Sequence, residues 1–152
     1  MLEVRTVPSD RPPATDLVAA MIDEVSQWYG RIDTPGAPTA TPEQMGPPGG
    51  AFVVIYEDEV ALAGGGLKRL DDATCEIKRM YVLPEARGRG LGKLLLEALE
   101  AEARRLGYAI ARLDTGPEQP GAQGMYERAG YRAIENFNAN PFASFWGEKP
   151  LA

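Results

Sequence analysis

Apolar and polar residues alternate through LEVRTV (2–7), the period of a half-buried strand. From Leu17 the period changes. Leu17, Val18, Met21, Ile22, Val25 and Trp28 recur every three or four positions, which predicts an amphipathic helix with Thr15 as its cap. Residues 35 to 50 then hold five prolines with Gly36, Gly46, Gly49 and Gly50, a long connection. Within it Thr41, Pro42 and Gln44 have the spacing of a capping box, enough for one helical turn. AFVVIYEDEVALAGGGLKRL reads as a hairpin, with an acidic turn at Glu57 to Glu59 and a second strand running into Gly64, Gly65 and Gly66. A bulge is the simplest reading of those glycines. CEIKRMYV (75–82) alternates again, so Glu76, Lys78, Met80 and Val82 are expected on one strand face.

The second half opens with a leucine-rich helix. Leu91, Leu95, Leu99 and Leu106 fall on one stripe, with a Glu100 to Arg104 pair on its flank and Gly107 as its stop. YAIARLDT (108–115) predicts a strand, Pro120 to Ala129 a short helix closed by Gly130, and YRAI and SFWGEKPL two final strands. The order β-α-α-β-β-β-α-β-α-β-β describes a single α/β (α+β) domain over residues 1–152. Its sheet should have about seven strands, mostly antiparallel, with a parallel pair where the leucine-rich helix crosses over, and about four flanking helices.

Composition narrows the chemistry. The chain of 152 residues has a net charge of −6, no histidine and one cysteine, Cys75. That balance argues against a nucleic-acid partner, and the missing imidazoles and thiols remove the usual metal sites and Ser-His or Cys-His catalysis. No apolar run reaches membrane-spanning length and the first residues lack the basic-then-apolar build of a secretion signal, so a cytoplasmic protein without a membrane partner is expected. Any general base must be a carboxylate, a tyrosine, a lysine or water. Cys75 is expected to pack and not to react.

One segment departs from the acidic background. ARGRGLGKLLLEAL (86–99) sets Gly88, Gly90 and Gly92 among Arg87, Arg89 and Lys93, directly against a helix start. The free amides and partial positive charge of a helix N-terminus attract anions, and glycines let the backbone close on a phosphate. The pattern is neither of the common nucleotide loops. A P-loop would need glycine at 87 and a hydroxyl at 94, and a dinucleotide loop would need glycine at 93.

IKRMYVLPEARGRGLGKLLLEALEAEARRLG resembles the acetyl-CoA motif of the GNAT superfamily of N-acetyltransferases, whose signature [QR]xxGx[GA] falls on Arg87, Gly90 and Gly92. GMYERAGYR (124–132) is similar to the second motif of that family, with Tyr126 at its tyrosine, and the resemblance covers nearly the whole chain. It implies a GNAT-like three-layer fold and acetyl transfer from acetyl-CoA, without a metal, to a primary amine that attacks directly. The acceptor would be a small molecule, an amino acid or a protein amine, and a homodimer is admissible. The coenzyme diphosphate would lie on the amides of Arg87, Gly88, Arg89, Gly90, Leu91 and Gly92 near Lys93, and the pantetheine along Met80 and Val82, with the Met80 N–H facing the thioester oxygen. Gln119 stands where many members carry an asparagine seven residues before the tyrosine, and glutamine caps a helix poorly.

Two side chains would then carry protons. Tyr126, by resemblance, protonates the leaving thiolate. Deprotonating an alkylamine at pH 7 costs about 4.6 kcal/mol, and Glu76 is the candidate base, against the alternative of a surface glutamate paired with Lys68 or Lys78. The resemblance places the acceptor between residues 28–45 and 136–145, where Asp33, Glu43 or Glu135 could meet a cation. The competing class is a non-catalytic acyl-CoA-binding regulatory module.

Overall fold

The computed structural model describes residues 1–30, 40–119 and 121–151. Strand β1 (Leu2–Val7) is followed by helix α1 (Ala14–Tyr29), then by β2 (Ala51–Glu57), β3 (Val60–Arg69) and β4 (Thr74–Val82). A 3-10 turn (Pro84–Ala86) leads into α2 (Leu91–Arg105), β5 (Ile110–Thr115), α3 (Ala122–Arg128), β6 (Arg132–Ala133) and β7 (Phe145–Pro150). The strands form one sheet in the order β1-β2-β3-β4-β5-β7-β6, antiparallel except where β4 meets β5.

Three layers follow from the side-chain pattern. β2 is buried on both faces: Phe52 and Val54 pack with Leu17 and Ala14 of α1, whereas Val53 and Ile55 pack with Leu95, Leu96 and Leu99 of α2. Gly64 and Gly66 let Leu17 and Met45 lie directly on β3, where a Cβ would collide with both. Helices α2 and α3 end alike. Tyr108 N–H donates to Ala103 O and Gly107 N–H to Arg104 O, while Tyr131 N–H donates to Tyr126 O and Gly130 N–H to Glu127 O, so both glycines close Schellman caps.

Several expectations need correction. Among the described residues there are three α-helices and a 3-10 turn, not four helices. The capping box at 41–44 forms, with Gln44 N–H on Thr41 Oγ1 and Thr41 N–H on Gln44 Oε1, but the prolines and glycines that follow stop it at a turn. Thr15 lies inside α1 because the helical turn already begins at Arg11 and Pro13, whose carbonyls accept from Thr15 and Leu17. Glu100 does not pair with Arg104. It is buried and accepts from Tyr131 Oη at 2.8 Å and Lys149 Nζ at 2.9 Å, while Arg104 Nε donates to Leu151 O. β5 starts two residues late because Tyr108 belongs to the cap of α2, and the YRAI strand is reduced to two residues. Asp33 and the connection around it, and Pro120, lie outside the described residues.

Candidate active site

The site lies where two neighbouring strands part. β4 pairs with β5 over Thr74–Glu76 against Ile110–Arg112, and among the described residues the rest of β4 has no partner on that side. On its other side β4 carries a bulge. Gly64 faces Tyr81 and Gly66 faces Lys78, so Gly65 alone opposes Arg79 and Met80, and Arg79 takes φ 62. The extra residue exchanges the two faces beyond it. Cys75 and Ile77 before the bulge, and Met80 and Val82 after it, all pack on the α2 side; Glu76, whose carboxylate meets Lys78, is not among them. The expected single face of Glu76, Lys78, Met80 and Val82 is therefore split.

The bulge also turns four consecutive residues, Ile77 to Met80, into one wall of a cleft of about 120 Å³. Met21, Val25 and Tyr29 of α1 form a second wall. Asp114, Thr115 and Gly116 at the end of β5, with Gln119, Asn140 and Phe142, complete it, and Tyr126 of α3 lies at its base. Tyr29 Oη accepts from Glu118 N–H at 2.8 Å and its ring packs on Phe142, which fixes the α1 side of the cleft. Leu83 N–H bonds back to β3, whereas Val82 O accepts from Arg87 Nε. Strand alternation therefore directs the backbone of Val82 into the gap.

At the mouth of the gap α2 begins without a side-chain cap and with no acidic residue in its first turn. Gly88 and Gly90 have φ of 82 and 78, and a Cβ at either would meet nothing within 4 Å. The Arg87 amide, expected in the cradle, is instead spent on the 3-10 turn, where it donates to Pro84 O, whereas among the described residues no partner occupies the amides of residues 88 to 93. This is an open, positively polarised cradle, and it fits a diphosphate. The arginines beside it are turned away. Arg87 holds Glu24 of α1 at 2.8 and 2.9 Å, and Arg89 holds Glu57 at 2.7 Å, so Lys93, exposed in the first turn of α2, is the remaining cation at the cradle. Glu24 also accepts from Tyr81 Oη, and burial foremost, then this contact, raise the Tyr81 phenol to about 12.

Tyr126 is buried, with Oη 3.8 Å from Met80 Sδ. Burial foremost, and then the negative charge of Asp114, push its phenol well above the ordinary value, so it keeps its proton at neutral pH. Glu76 is 1% exposed, which makes it no surface residue. Lys78 Nζ lies 3.5 Å from Oε2 and Lys68 Nζ 3.8 Å from Oε1, and Asn138 Nδ2 donates to Oε2 at 2.9 Å. Glu76 does not line the cleft. The same Asn138 Nδ2 donates to Asp114 Oδ2 at 2.6 Å, so one amide bridges the buried carboxylate to the one that does line it.

Asp114 went unnoticed in the sequence, although it had a signal: an acid at the carboxyl end of a strand that follows a crossover helix. Glu43 instead lines a separate groove near the start of β5, with Arg69 and Tyr108, and Glu135 is exposed away from the cleft. Gln119 lines the cleft but caps nothing. Its Oε1 accepts from Thr115 Oγ1 and Gly116 N–H, closing the turn after β5, and Gly121 caps α3. Cys75 is fully buried and its thiol is pushed up to about 12, chiefly by burial. Among the described residues no group of acids and thiols suits a metal ion, and no helix is long and apolar enough to cross a membrane.

Comparison with known proteins gives the same picture. The sequence model of the acetyltransferase (GNAT) family matches residues 18–131. The chain is 34% identical over 128 residues to the uncharacterized N-acetyltransferase YjgM of Escherichia coli (strain K12), covering 78% of this chain and 76% of that protein. Its fold is that of a GNAT-family acetyltransferase from Staphylococcus aureus Mu50, with a TM-score of 0.81 at 19% identity over the whole of both chains. A GNAT acetyltransferase from Elizabethkingia anophelis solved with acetyl-CoA bound gives a TM-score of 0.68 at 16% identity, covering 98% of this chain and 97% of that one. A bare helix start beside parted strands, in a chain matched by this family over most of its length, leads to one conclusion: the chain belongs to the acetyltransferase (GNAT) family and is an acetyl-CoA-dependent acetyltransferase.

Proposed function

We propose that this enzyme moves an acetyl group from acetyl-CoA to a primary amine by direct attack, with both substrates bound at once. The observation that carries the reading is the gap between β4 and β5, open at one end to the uncapped α2 and at the other to the cleft. Acetyl-CoA supplies the thioester, and the amides of residues 88 to 92 with Lys93 hold its diphosphate. The amine nitrogen bonds to the acyl carbon, the carbon–sulfur bond breaks, and the thiolate takes the proton of Tyr126. The Met80 N–H stabilises the charge gathering on the acyl oxygen. The ammonium proton leaves to water before attack, favoured by the negative charge of Glu76 across Asn138, and the proton that the nitrogen sheds as the amide forms returns to the Tyr126 phenolate.

The test has two arms. Mass spectrometry of the enzyme with acetyl-CoA and a panel of primary amines should find acetylated amine, and the enzyme incubated with acetyl-CoA alone should keep its mass. An acetylated enzyme that passes its group to an amine would sink direct attack. Glu76→Gln should lose rate mainly at low pH, where the amine is protonated and most needs a base; an unaltered pH profile removes that role.

A further inference from the structure

The charged groups at the cleft are of both signs, and their arrangement narrows the acceptor that the proposed reaction would take. Asp114 is held at one oxygen only. Asn138 Nδ2 at 2.6 Å and Asn140 Nδ2 at 3.1 Å both donate to Oδ2, and among the described residues Oδ1 accepts no bond. The two amides fix the Asp114 carboxyl, with one oxygen spare for a donor in the cleft. Asn138 is itself fixed, because its Oδ1 accepts from Trp146 Nε1 at 3.0 Å. Opposite, the bulge brings Lys78 into the wall formed by β4. The Lys78 side chain is only 9% exposed, yet the one anion near its Nζ among the described residues is Glu76 Oε2 at 3.5 Å. That oxygen already accepts from Asn138, and Lys68 lies beside the other oxygen of the same carboxylate. A buried ammonium so weakly satisfied gains by meeting a further anion.

We propose that the acceptor is a small zwitterion of the amino-acid class, its ammonium received by Asp114 and its carboxylate by Lys78. This rests on the acetyl-transfer reading for the chemistry and goes beyond it in naming the acceptor. The small volume of the cleft suits a compact molecule, with Met21, Val25 and Phe142 around its apolar part.

The test is a paired panel: free amino acids against the amines of the same skeleton without the carboxylate, compared by kcat/KM. The wild type should favour each amino acid at least tenfold. Lys78→Ala should bring that ratio close to one, and Lys78→Arg should restore it. Asp114→Asn should raise KM for every acceptor. Equal or better turnover of the plain amines, or an unchanged ratio in folded Lys78→Ala, would overturn the zwitterion and leave acetyl transfer standing. If neither class is acetylated, acetyl transfer fails, and calorimetric titration of the two classes onto the wild type with coenzyme A present still decides the acceptor. Preferential binding of the amino acids supports it; equal binding, or none, overturns it.

Discussion

Tyr126 keeps its proton because its ring is enclosed and a carboxylate stands nearby. A phenol in that state can give a proton but cannot take one at neutral pH. Tyr126→Phe should lower kcat about 10²-fold or more, the ordinary worth of a placed acid, with coenzyme affinity by calorimetry nearly unchanged. Gly90 belongs to binding instead. Any side chain there must adopt a left-handed conformation at a cost of about 1–2 kcal/mol and would stand in the open cradle. Gly90→Val should therefore weaken coenzyme binding about tenfold or more while kcat at saturation falls less. Gly90 and Tyr126 stand out in the sequence as positions of two short motifs that resemble those of the family. Asn138 does not, and Asp114 offered only its place at the carboxyl end of a strand. Their bond joins residues 24 apart through the register of β5 against a loop, and nothing local announces it. Arg87 and Arg89 show the same limit. Their charge was legible, but their partners Glu24 and Glu57 lie 63 and 32 residues away in sequence.

At the scale of elements, α2 was the most legible piece. Its stripe of leucines, its basic last turn and its closing glycine are each local signals, and all three point to the same helix. Leu95, Leu96 and Leu99 are buried to within 1%, so Leu99→Ala should cost about 2–5 kcal/mol in a urea titration. A smaller loss would mean that the cavity collapses. The bulge was half legible. Three glycines in β3 announced an irregularity, but the added residue lies in the partner strand at Arg79. A slip of one residue exchanges the faces of a strand, so the side-chain directions predicted for the far end of β4 were inverted. The short elements were lost where prolines and glycines compete with a cap, as at Thr41 to Gln44.

At the scale of the molecule, the two sides of the sheet divide the work. Tyr126 and α2 stand on one side of the gap, α1 with its Met21 and Tyr29 on the other, and among the described residues they meet where β4 parts from β5. The pH dependence of stability also belongs to the whole fold. Burial, the charge of Glu100 and a hydrogen bond to it raise the Tyr131 phenol far above its ordinary value near 10. Above about pH 10 the unfolded chain loses that proton while the folded chain holds it, so stability falls as pH rises. Tyr131→Phe should be less stable at neutral pH, by about 1 kcal/mol for the lost bond, and should decline less steeply on the alkaline side. Urea midpoints from pH 8 to 11 will show this, and parallel curves would contradict it.

Cys75, the single cysteine, is sealed under α2 with its sulfhydryl held protonated. Only the thiolate attacks disulfide reagents, so the folded enzyme should be silent toward Ellman's reagent. Colour developing during turnover then counts free coenzyme alone. The same silence, once broken, becomes a clock for global opening, and an added surface cysteine would be the single place a fluorophore could attach.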